Sequence, residues 1–146
     1  MTMIKKLSFP AILMLLLTAT ATKAQDKRTF QGTLTNKELG VFLVINFYDN
    51  DITIPGQEVF GQMPGYFGAD KDLRRWPVVS AQIAKDGKSA NLVMTNDYGS
   101  EDLTATLLLN PDSTYTLRQD EGSTLKIAVE RKWVKMPKRL DLKRTK

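Results

Sequence analysis

The sequence predicts an antiparallel all-β domain of about eight or nine strands, an up-and-down barrel first and a β-sandwich as the alternative. Three observations point there. Short runs of alternating apolar and polar residues recur along the chain, separated by clusters of Gly, Pro, Asn and Asp. The clusters are short enough to be hairpin turns. No apolar repeat of helical period persists for more than about ten residues.

Ahead of the first run, Met1–Lys6 carries two lysines, Leu7–Leu17 is an apolar stretch of eleven residues, and Thr18–Ala24 is rich in small side chains. These are the three parts of a cleavable secretory signal, with cutting expected after Ala24. The apolar stretch falls short of the roughly 20 residues that cross a bilayer, so no membrane span is expected in the mature chain. Residues 25–136 are the expected domain, and 137–146 a basic C-terminal tail.

The runs follow in order. Thr29–Thr35 sets Phe30 and Leu34 on one face, and Val41–Tyr48 is apolar on both faces, as a strand covered twice would be. Asp49-Asn50-Asp51 turns the chain, because Asn and Asp tolerate left-handed angles and bond to nearby main chain. One or two strands are expected in 51–69. Pro77–Ala84 alternates Pro77, Val79, Ala81 and Ile83 with Val78, Ser80 and Gln82. It ends in Lys85-Asp86-Gly87-Lys88, where Asp-Gly predicts a type I′ hairpin. Ala90, Leu92 and Met94 alternate next, then Leu103, Ala105, Leu107 and Leu109, then Tyr115 and Leu117. A last run places Leu125, Ile127, Val129 and Trp133 on one face until Pro137 stops it. Leu140 and Leu142, either side of Asp141, permit one more short strand.

Five consecutive strands joined by tight turns make a meander, and a meander of this length buries its apolar faces by closing or by folding into facing sheets. The expected barrel resembles the lipocalin and fatty-acid-binding families in architecture. It lacks their Gly-x-Trp on the first strand, where Phe30-Gln31-Gly32 stands instead. Arg131 and Trp133 on the last run resemble the family's packing of Arg on Trp.

The chain contains no cysteine and no Asn-x-Ser/Thr acceptor. An exported domain without disulfides must rely on its core, which is feasible at about 120 residues. The expected location is the bacterial periplasm or exterior. Of 21 bases and 16 acids, the signal removes Lys5, Lys6 and Lys23, leaving the mature chain at +2. Residues 126–146 carry nine bases against Glu130 and Asp141, so the body up to Leu125 is acidic. Such a basic end suits anionic partners or simple solvation. Nucleic acid is not an expected partner of an exported chain lacking interleaved aromatics.

Absence of histidine removes the commonest general base and metal ligand, and absence of cysteine removes thiolate chemistry. No cofactor, metal or catalytic residue is expected. The remaining catalytic candidate is a carboxylate pair from Asp97, Glu101 and Asp102, which equally read as solvated acids of a turn or as weak Ca²⁺ ligands. Pro55–Ala69 is glycine-rich yet carries Val59, Phe60, Met63, Tyr66 and Phe67. It reads as a bulged strand pair, a cap on the barrel, or an aromatic flap near Trp76. The leading expectation is non-catalytic binding of a small, partly apolar ligand by Phe42, Val44, Tyr66, Phe67 and Trp76. The alternatives are a protein-interaction or envelope-structural module, using a sheet edge or the tail, and a carboxylate-dependent hydrolase.

Overall fold

A computed structural model describes residues 28–146, and the expected signal lies outside the described residues. Eight strands close into a barrel: β1 (Gln31–Asn36), β2 (Val41–Asn46), β5 (Gly65–Ala69), β6 (Asp72–Ile83), β7 (Ser89–Thr95), β8 (Asp102–Leu109), β9 (Tyr115–Gly122) and β12 (Arg139–Arg144). Each pairs antiparallel with the next, and β12 returns to β1 through Leu34↔Arg144 and Thr35↔Lys143. The expected up-and-down barrel is thus present. Two ribbons interrupt the meander: β3 (Ile52–Thr53) with β4 (Gln62–Met63), and β10 (Lys126–Val129) with β11 (Lys132–Lys135). The first leaves after β2 and the second after β9. These strands run in opposite directions, so the ribbons stand at opposite ends of the barrel. No helix among the described residues is long and apolar enough to cross a membrane.

Alternation decides what fills the barrel. On β2, Val41, Leu43 and Ile45 point inward and are at most 2% exposed, while Phe42 and Val44 lie on the outer wall. Their inward partners on β5 are Phe67 and Ala69, followed on β6 by Trp76 and Val78. Ala90, Leu92, Met94, Leu103, Ala105, Leu107 and Leu117 complete one cluster with Leu34, Leu140 and Leu142. Phe30 and Phe47 stack at 5.8 Å between centroids at the end opposite the β10–β11 ribbon. Burying a leucine of this kind contributes roughly 1.5–3 kcal/mol, which suffices to explain a fold without disulfides.

Three segments differ from the sequence-based expectation. The basic stretch 137–146 is no free tail: Arg139–Arg144 is the closing strand, with Leu140 and Leu142 inward. Arg144 fixes it by donating to the carbonyls of Arg28 and Thr29 and to the Tyr115 hydroxyl, at 2.7, 3.0 and 2.8 Å. The Asp86-Gly87 turn is not type I′, because only Gly87 has positive φ (70°). Asp86 Oδ1 instead accepts the Lys88 N–H at 3.0 Å, and the Gly87 N–H closes onto the Ala84 carbonyl.

The third difference is the run 125–133. It breaks at Glu130-Arg131, which adopt φ of 51° and 68°, a left-handed pair without glycine. Such angles cost roughly 1–2 kcal/mol per non-glycine residue. The turn reverses side-chain parity: Trp133 faces Ala128, on the opposite side from Ile127 and Val129.

Outside β8 and β9, the Thr106 hydroxyl donates to Asp120 at 2.7 Å and Arg118 Nε donates to it at 2.8 Å. Burial pushes the Asp120 carboxyl up, but these donors and the positive Arg118 and Lys138 outweigh it and hold it below its ordinary value. A carboxylate lowered by folding adds stability above its unfolded pKa of about 4 and loses it as pH falls through the lowered value. Asp120→Asn should therefore destabilise by less than about 1 kcal/mol at neutral pH, water screening the pair. Urea titrations at several pH values should show the gap closing below about pH 4.

Candidate functional site

A chamber able to hold even one water would leave accessible surface on its lining. The inward residues Leu34, Leu43, Phe67, Met94, Leu107 and Leu117 show 0% exposure, so the barrel is packed solid along its wall. An eight-stranded barrel is just narrow enough for its own side chains to fill it. The recesses of the described residues lie on the outer surface.

The β10–β11 ribbon builds a recess there. It folds back onto the start of β6, where the buried Asp72 accepts the Ala128 N–H at 2.8 Å and the Arg74 N–H at 3.1 Å. The Trp76 indole N–H donates to the Lys126 carbonyl at 3.2 Å. On the other side, the Gln119 amide accepts the Leu125 N–H at 2.7 Å and donates to the Pro137 carbonyl at 3.1 Å. These buried polar groups are matched, as burial requires. Asp72→Ala should leave the Ala128 N–H unpaired and cost about 2 kcal/mol. Hydrogen exchange of the ribbon amides should accelerate more than that of β8.

Between this ribbon and the β7–β8 loop lies a cleft of about 190 Å³, lined by Arg74, Trp76, Asn96, Asp97, Tyr98, Ser100, Glu101, Lys126 and Trp133. Its aromatic walls are open: Tyr98 is 80% exposed and Trp133 57%. The Arg74 guanidinium of β6 and the Lys126 ammonium lie 5.0 and 5.2 Å from the Trp133 ring centroid, a cation–π arrangement that fixes the exposed indole beside the barrel. Glu101 reaches Lys126 at 3.1 Å. Asn96 shapes the loop, its Oδ1 accepting the Ser100 N–H at 2.8 Å and its Nδ2 donating to Ser100 Oγ at 3.0 Å. The cleft combines stacking surface with amide, hydroxyl and carboxylate partners, the set that holds a small ligand with one flat apolar side.

The five residues expected to bind ligand are divided. Phe42, Val44 and Tyr66 come together on the outer wall, Phe42 and Tyr66 edge to face at 6.3 Å beneath Arg75. Gly68 makes room for this stack, since a Cβ there would stand 2.9 Å from both Phe42 and Arg75. Phe67 points into the core. Trp76 joins the core with its ring and reaches the cleft floor. The segment 55–69 divides as well: Gly65–Ala69 is the buried strand β5, and Glu58–Phe60 is a 3-10 turn with Val59 90% exposed. That turn belongs to the β3–β4 excursion, at the end away from the cleft.

Of the acids considered for catalysis, Asp97 and Glu101 line the cleft and Asp102 opens β8 on the exposed side. Tyr98, Arg74, Lys126 and Trp133 line the same cleft and are not among the residues expected from the sequence to bind ligand.

A broader groove of about 990 Å³ runs outside β12, between Thr35–Glu38 and Asn110–Thr114. It exists because β12 pairs with β9 through Arg139–Leu142 and with β1 through Lys143 and Arg144. No protein-family model, curated protein or solved structure matches this chain, so the cleft and its chemistry carry the functional reading.

Proposed function

We propose that this chain is an exported, non-catalytic binding domain that holds a small, partly apolar ligand in the cleft between the β7–β8 loop and the β10–β11 ribbon. Export rests on the signal pattern of residues 1–24, and binding on the open pair Trp133 and Tyr98 above polar side chains. The observation that carries the reading is the exposure of Trp133, an indole braced by two cations while the barrel interior is packed. The expected ligand stacks a flat apolar face on the aromatics and directs a polar or anionic group toward Asn96, Ser100 and Lys126.

Anilinonaphthalene sulfonate is a suitable first probe, being flat, apolar and anionic. Saturable fluorescence enhancement is expected, weakened at least about tenfold by Trp133→Ala and by Tyr98→Ala, each removing about 1.4 kcal/mol or more. Phe60→Ala, at the far end, should leave it unchanged. Binding that ignores both cleft substitutions, or no saturable binding, would sink the proposal.

A further inference from the structure

We infer that the outer edge of β11 is a docking edge for an extended, acidic segment of a partner protein, which joins the β10–β11 ribbon as a third strand. This is a backbone site and does not depend on a ligand in the cleft.

The register fixes which groups are free. Met136 N–H donates to the Leu125 carbonyl at 2.8 Å. In an antiparallel ladder the bonded pairs alternate, so Val134 bonds to Ile127 and Lys132 to Val129. The main-chain groups of Ala128 and Lys126 then point outward from β10, and those of Trp133 and Lys135 outward from β11. The β10 side confirms the alternation, because Asp72 takes the Ala128 N–H and Trp76 donates to the Lys126 carbonyl. One edge of the ribbon is closed by two buried side chains of β6. Among the described residues the other edge meets no such partner, and all four residues of β11 are exposed.

Open edges are usually blunted, and the main sheet has none because it is closed. Here a left-handed Glu130-Arg131 turn without glycine reverses the chain from β10 into β11. An extended chain laid along β11 would meet the Trp133 and Lys135 main-chain groups in the manner of strand addition.

Charge selects the occupant. Arg131–Arg139 contains Arg131, Lys132, Lys135, Lys138 and Arg139 and no acid. Pairing with a second copy of β11 would set these bases against one another, and like charges opposite each other are destabilising. Lys132 and Lys135 lie three residues apart and so on opposite faces of the ribbon, and a segment with Asp or Glu on both of its faces places a carboxylate against each.

The test uses the whole mature chain and fluorescein-labelled short peptides repeating Glu-Glu-Thr-Thr, which carry charge on both faces, or Lys-Lys-Thr-Thr. The acidic peptide should bind, more weakly as salt rises, and the basic one should not. Lys135→Pro removes an outward N–H while keeping the β10–β11 bonds, and should weaken the acidic peptide at least about tenfold. Lys132→Glu with Lys135→Glu should reverse the preference. In the unaltered protein, the acidic peptide should slow amide exchange at Trp133 and Lys135 and leave Lys132 and Val134 as protected as before. That measurement decides the matter even where Lys135→Pro fails to fold. Equal binding of both peptides, no binding of either, or unchanged exchange at Trp133 and Lys135 would overturn the proposal. So would concentration-dependent self-association that Lys135→Pro abolishes, since it would make the occupant a second copy.

Discussion

A chain lacking residues 139–146 should show no cooperative thermal transition and no near-ultraviolet signal from ordered aromatics. The deletion removes β12, and with it the inward Leu140 and Leu142, each 1% exposed. Their burial alone accounts for roughly 3–6 kcal/mol, against a typical total stability of about 5–15 kcal/mol. The ladder bonds to β9 and β1 go as well, and so does the Arg144 bridge to Thr29 and Tyr115. The barrel is left open with two unpaired edges, which invite aggregation. Neutralising Lys138, Lys143 and Lys146 by Gln should retain the transition. If the deleted chain melts as cooperatively as the intact one, β12 is not a structural strand.

Phe67→Ala should lower stability by about 3–5 kcal/mol, the usual range for emptying a buried aromatic position. Phe67 is 0% exposed, with Leu43 on one side and Trp76 on the other. For a domain of this size the melting temperature should fall by about 10–20 °C. Phe42→Ala, on the half-buried outer wall, should cost roughly 1–2 kcal/mol. Equal losses at the two positions would mean that Phe67 does not fill the core. Calorimetry of the two variants separates these outcomes.

Most of the barrel was legible because strand alternation survives in the residues themselves. Leu103, Ala105 and Leu107 announce β8, and Ala90, Leu92 and Met94 announce β7, each at period two. The closing strand carries the same pattern in Leu140 and Leu142, but two apolar positions among bases are too few to separate a strand from a solvated end. The β10–β11 turn was hidden for another reason. Glu130 and Arg131 form a left-handed two-residue turn with none of the Gly, Asn or Asp that ordinarily marks one. Missing that reversal assigns Trp133 to the buried face and so conceals the cleft. One part of the site was within reach. Tyr66 and Phe67 are neighbours on one strand, so they face opposite sides of the wall and cannot line one cavity.

The seam between β1 and β12 also governs how the chain reaches its folded form. Arg144 meets Thr29 across 115 residues of sequence, and almost every strand lies between them. Loop closure over such a span gains nothing until its ends meet, so the domain belongs among slow folders with high contact order. The hairpins β6–β7, β7–β8 and β8–β9 can form early, yet their apolar face stays wet until the seam joins. Until then the chain stays open along its length and free to associate through that face.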